Sequence, residues 1–167
     1  MMIAKIGRAA TAEVMKRIGG STGMESSLAA LRQDDPSIAS QVQAAQLRAQ
    51  NVAADLAERS EGTKYPAVQV YCEKIANTLA EKFRTFSGTV RMAVEVRHSR
   101  DRLDGLQDQL EIYADAVTQV LHGSRGDWGD GMFYGGAYDV SFSAVKHGGR
   151  NFIQTAKITF EIGVSKS

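Results

Sequence analysis

Between Ser99 and Gly123 apolar residues return every three or four positions for more than about five turns, and no other stretch limits so strongly what this chain can fold into. Leu103, Leu106, Leu110, Tyr113, Ala114, Val117, Val120 and Leu121 form one stripe, while Asp104, Asp108, Glu111, Asp115 and Gln119 fall on the opposite side. The spacing predicts one long amphipathic helix. Ser99 or Asp101 is placed to accept the free N–H groups of its first turn, and Gly123 to end it in the left-handed conformation. A stripe of this length needs a broad apolar surface to cover, and the flanking segments alternate apolar and polar residues with period two, the pattern of a half-buried sheet.

Four segments carry that alternation. From Tyr65, KYPAVQVYCEKI sets Val68, Val70 and Cys72 against Ala67, Gln69 and Tyr71, with Pro66 at the strand's first position, where its missing N–H does little harm. Ile75 to Phe83 reads as weakly helical or irregular, and Ser87-Gly88 turns into Val90, Met92, Val94 and Val96. After the helix come Val140, Phe142 and Ala144, then Ile158, Phe160, Ile162 and Val164, with Gly148-Gly149 as a hairpin turn. The predicted fold is α+β: a largely antiparallel sheet of about four strands with the long helix on one face. Residues 63–167 would form this domain, and residues 1–62 a helical or irregular N-terminal extension. Within the extension Ile3, Ile6, Ala10, Val14 and Ile18 recur at helical spacing up to Gly19-Gly20, which suits a packed terminal helix or a basic segment docked on a membrane or subunit. Residues 23–33 suit a second helix stopped before Pro36, residues 37–50 leave helix and extended chain open, and Asn51 could cap a short helix over 52–59.

The chemistry-bearing residues are sparse. The chain has 20 Lys and Arg against 19 Asp and Glu, so no net field draws it to nucleic acid or to an anionic membrane. Its single cysteine, Cys72, falls on the apolar side of a strand, where a thiol behaves as a small inert hydrophobe, and it has no partner for an intrachain disulfide. With no apolar run at the start of the sequence, synthesis in a reducing cytoplasm is the expectation. His98, His122 and His147 each end a predicted element, too far apart in sequence to suggest a metal site, and no serine or cysteine pairs with them by spacing. GDWGDG lacks the ligand spacing of a calcium loop and the Lys-Ser or Lys-Thr ending of a phosphate loop. No catalytic residue, metal or cofactor is expected. Two features remain as candidate interfaces. Residues 123–136 hold six glycines around Trp128, Phe133 and Tyr134, aromatics that either tuck back or wait for a partner. Arg91, Arg97, His98, Arg100 and Arg102 form the most basic stretch, which reads as a solvated face paired to Glu95 and Asp101, or, through Arg97, Arg100 and Arg102, as a phosphate or subunit contact.

In order and wording, KYPAVQVYCEKI, EKFRTFSGTVRMAVEVRHSRDRLDGL, RGDWGDGMFYGGAYDVSF and GGRNFIQTAKITFEIGVS resemble the tail-terminator (tail-completion) proteins of long-tailed bacteriophages and prophages, over roughly residues 45–165. The likeness spans the whole domain and contains no catalytic signature. It implies an α+β subunit of a hexameric ring in the virion neck. That ring would sit on the last ring of the tail tube, stop tube growth and meet the head connector, with DNA passing through its lumen and no membrane involved. An adaptor or stopper ring of the connector is the related alternative, and a small-molecule-binding or enzymatic α+β domain the unrelated one.

Overall fold

The computed structural model describes residues 3–38, 43–53, 57, 62–148 and 151–167. Three helices, α1 (Ile3–Gly19), α2 (Met24–Asp34) and α3 (Leu106–His122), lie on one face of a sheet. Its strands are β1 (Gln46–Arg48), β2 (Ala67–Asn77), β3 (Phe86–Arg100), β4 (Gly126–Gly129), β5 (Met132–Tyr134), β6 (Asp139–Phe142), β7 (Lys146–Gly148) and β8 (Asn151–Lys166).

The sheet corrects the expectation of four antiparallel strands: among the described residues it has eight, in the order β1-β2-β3-β8-β5-β4, with β6 and β7 also paired to β8. It is mixed, because β1 runs parallel to β2. The four expected strands correspond to β2, β3, β6 and β8. The added ones are three or four residues long, too short to display a period of two, and their pairing comes from the long neighbour they lie against. β8 alone serves β3, β5, β6 and β7. β2 also outruns its expected end, carrying the alternation to Asn77 through a register shift at Cys72/Lys74.

The central helix starts later than its apolar stripe suggests. Ser99 and Arg100 stay in β3, opposite Ile153 and Phe152, and the chain turns through 101–105 before α3 begins. Neither Ser99 nor Asp101 caps it; Gly105, at φ 76°, occupies that position without a side-chain bond, and Leu103 is exposed. Gly123 is right-handed at φ −80°, with its N–H bonded to the Gln119 carbonyl. From Leu106 onward the stripe is as expected: Leu106, Leu110, Tyr113, Ala114, Val117, Val120 and Leu121 are buried, and Asp108, Glu111, Asp115 and Gln119 are exposed.

One core joins all three helices to the sheet. Ile6, Ala10, Val14 and Ile18 of α1 and Met24 and Leu28 of α2 share it with Val90, Met92, Val94 and Val96 of β3 and Ile158, Phe160 and Ile162 of β8. Gly7 lets α1 approach β2 closely, since a Cβ there would lie 3.2 Å from the Ile75 side chain. The undecided stretch 37–50 contains the short strand β1, and most of the helix suggested for 52–59 lies outside the described residues. Gly148 ends β7 paired with Asn151, and Gly149 of the expected Gly148-Gly149 turn lies outside the described residues.

Candidate interaction surfaces

The glycine-rich loop is a β4–β5 hairpin, turned at Asp130 (φ 54°) and Gly131 (φ 78°). A Cβ on Gly131 would sit 2.2 Å from the Ser165 carbonyl oxygen, so glycine is required both for the conformation and for the contact. This turn tucks two of the three aromatics inward. Trp128 Nε1 donates to the Ser124 carbonyl at 2.6 Å, its ring lies 5.6 Å from Tyr134, and Tyr134 meets Phe160 edge-on at 5.4 Å. The Arg17 guanidinium, paired to Glu13 at 3.0 Å, stands 4.5 Å over the indole. Tyr134 is wholly buried, which pushes its phenol up to about 12, and its hydroxyl donates to the Ala137 carbonyl at 3.2 Å. Trp128 and Tyr134 therefore fasten the hairpin to the core, and only Phe133, on the opposite side of β5, is free for a partner.

The three candidate arginines separate in the same way. Arg97 is buried on the sheet face away from the helices, where Nη2 donates to Glu95 at 2.7 Å and to the Val52 carbonyl at 2.5 Å. With the Gln69 amide turned to suit its neighbours, its oxygen accepts from Arg97 Nη1 at 2.9 Å and its nitrogen donates to the Val52 carbonyl at 3.1 Å. Arg97 thus clamps the chain around Val52 onto the sheet. Arg100 Nη1 donates to the Asp104 carbonyl at 3.0 Å and braces the turn before α3, while Arg102 is exposed.

Toward the middle of that sheet face the charges match. Arg91 and Lys157 both reach the Glu73 carboxylate, Arg91 at 3.1 Å, and in the β3–β8 ladder Arg91 stands opposite Glu161 and Lys157 opposite Glu95. Tyr71 donates its hydroxyl to Glu95 at 2.9 Å; burial and this carboxylate hold its phenol well above the usual range.

His98 faces the helices. It is buried against the Tyr113 ring, with Nε2 2.7 Å from Gln109 Oε1, and burial pushes its pKa down despite that amide, with Arg100 adding to the fall. A neutral ring donating from Nε2 fits these partners. Burial also raises the Cys72 thiol. Among the described residues no three His, Cys, Asp or Glu side chains are grouped to hold a metal ion, and no helix is long and apolar enough to cross a membrane.

Apolar side chains missed by the sequence reading are exposed elsewhere. The β2–β3 loop presents Leu79 and a fully exposed Phe83, both at positive φ (51° and 62°). Asn77 Oδ1 accepts the Ser87 N–H at 3.0 Å and the Leu79 N–H at 3.3 Å, so the loop is pinned at its base while its tip faces water. Phe133 lies at the same end of the sheet, since both β5 and the start of β3 pair with the last residues of β8. The opposite end carries Arg100, Arg102 and Lys146 beside Leu103. The one sign of this in the sequence is Phe83 standing between Lys82 and Arg84, apolar among charges and outside any periodic pattern. No protein-family model matches the chain, and no curated protein is significantly similar to it.

Proposed function

We propose that this chain is a ring subunit of the neck of a long-tailed bacteriophage, a tail terminator that caps the tail tube, halts its polymerisation and joins the tail to the head connector. It acts as a structural virion protein, assembled in the host cytoplasm as a hexamer, without reaction or cofactor. The observation that carries this reading is the difference between the two ends of the sheet. Strands such as the 15-residue β3 separate the ends by about 50 Å. One end offers Leu79, Phe83 and Phe133 among the charges of Lys82, Arg84 and Asp130, the other Arg100, Arg102 and Lys146 among Asp101, Leu103 and Asp104, so three exposed apolar side chains face one way and one the other. A terminator needs unlike ends, because it must bind the last tube ring while offering no copy of the tube's growing surface. The charge-matched sheet face suits a lumen as well: Arg91, Arg97 and Lys157 against Glu73, Glu95 and Glu161 leave no excess of cations to hold passing phosphates.

Electron microscopy of a lysate from a nonsense mutant tests the proposal. Loss of a terminator leaves full heads without tails and tails of uncontrolled length. Loss of an adaptor or stopper leaves free tails of normal length and heads that leak DNA, and that outcome overturns the terminator reading in favour of a connector.

A further inference from the structure

The helix layer stops short of both sheet edges. α1 packs over β2 and β3, and α3 over β3 and β8. The helices thus lie over β2, β3 and β8, so β6 on one side and, on the other, the part of β2 beyond its short pairing with β1 are left as margins. At the first margin Val140 and Phe142 pair with Ile158 and Ala156 and share their helix-side face, yet remain 36% and 40% exposed beside Ala114 and Thr118 of α3. At the second, an open groove lies between α1 and β2, lined by Gly7, Thr11, Ala12, Met15, Cys72 and Ile75. The two are chemically complementary. Glu111 and Asp115 line the first margin without an ion pair among the described residues, and burial together with Glu111 raises the Asp115 carboxyl. Arg8 lines the second, with Lys5 one turn away, and neither has an acidic partner among the described residues.

We propose that a second copy of this chain fills each margin, Val140 and Phe142 of one copy seating in the α1–β2 groove of the next, with Glu111 and Asp115 facing Lys5 and Arg8. The inference rests on the ring reading and names the surfaces that build the ring. The two surfaces lie at opposite edges of one sheet, so they do not meet within a chain. Because they differ, the contact is head to tail, and repetition closes into a ring when the rotation per subunit divides a full turn. It also covers apolar area that the helix layer leaves wet.

The test uses two variants of the full chain, each altered on exposed residues of one margin: Phe142→Asp, and Arg8→Glu combined with Ala12→Glu. Circular dichroism first establishes that both remain folded. In sedimentation velocity the wild type assembles, and each variant weakens self-association at least about 100-fold, running as a monomer. An equimolar mixture of the two gives a dimer and nothing larger, because only one intact pair of surfaces survives between them. A mixture that stays monomeric overturns the head-to-tail contact. Variants that assemble like the wild type also overturn the proposal, while leaving the ring reading standing on other surfaces. A wild type that stays monomeric at high concentration overturns both.

Discussion

Trp128→Ala should unfold this domain far more easily than its place in a glycine-rich loop suggests. The indole is about nine-tenths buried, donates one buried hydrogen bond to Ser124, and lies between the Tyr134 ring and the Arg17 guanidinium. Truncating a buried aromatic to alanine costs about 3–5 kcal/mol, a range that already includes the cavity. The lost hydrogen bond, about 1 kcal/mol, places this site in the upper part of the range, because the Ser124 carbonyl is left buried with one partner fewer. Arg17 is partly exposed and already paired to Glu13, so its contact with the ring adds little. At about 2–4 °C per kcal/mol for a chain of this size, the melting temperature should fall by roughly 10–15 °C. Phe133→Ala, on the wet side of the same hairpin, should change stability by less than about 0.5 kcal/mol. Urea denaturation of both variants measures the contrast. Trp128 is the only tryptophan, so the native protein should also show blue-shifted emission and weak acrylamide quenching. Equal stability of the two variants, or free quenching of native Trp128, would refute the buried hairpin.

Leu110→Asp places a carboxylate at a wholly buried position and should cost more than about 4 kcal/mol, whereas Asp108→Ala on the wet side of α3 should be nearly silent; circular dichroism and solubility separate them. His98 gives a pH dependence with a definite sign. Its folded pKa is depressed, so the unfolded state takes up a proton that the native state refuses, and stability falls as pH drops below about 6.5. The slope approaches about 1.4 kcal/mol per pH unit until the native ring also protonates. Urea midpoints between pH 7 and pH 5 should fall more steeply for the wild type than for His98→Gln, and parallel lines would rule out His98 as the source.

Where the sequence repeats a pattern for long enough, it is readable. The apolar stripe of α3 from Leu106, the alternation of β3 and β8, and the apolar face of α1 follow from period alone, whereas the burial of Gln109, Ala116 and Thr118 on α3 does not. The errors fall where a neighbour decides. Ser99 looks like a helix cap, yet the ladder to Ile153 holds it in a strand. β1, β4, β5 and β7 have no period of their own, and β1 is parallel, a pairing that no local turn announces. The interface candidates divide by a single fact hidden from the sequence, the side of the hairpin on which each ring stands: Trp128 and Tyr134 inward, Phe133 outward. Arg97 reads as a surface charge until the chain at Val52 is seen folded over it.

The multiple pairings of β8 also bear on how the protein is made. β3, β5, β6 and β7 all precede it in the chain and all pair with it, so none of these ladders can close until β8 has been made. Until then β3 has β2 on one side and fifteen residues of open backbone on the other, with Val90, Met92, Val94 and Val96 along it. Pairing of this kind spans a long sequence separation and forms slowly, and an unpaired edge of that length is a template for the wrong strand. Synthesis therefore passes through an interval in which nascent chains on one messenger are most prone to join each other, and an excess of holdase chaperone during expression should raise the yield of soluble protein.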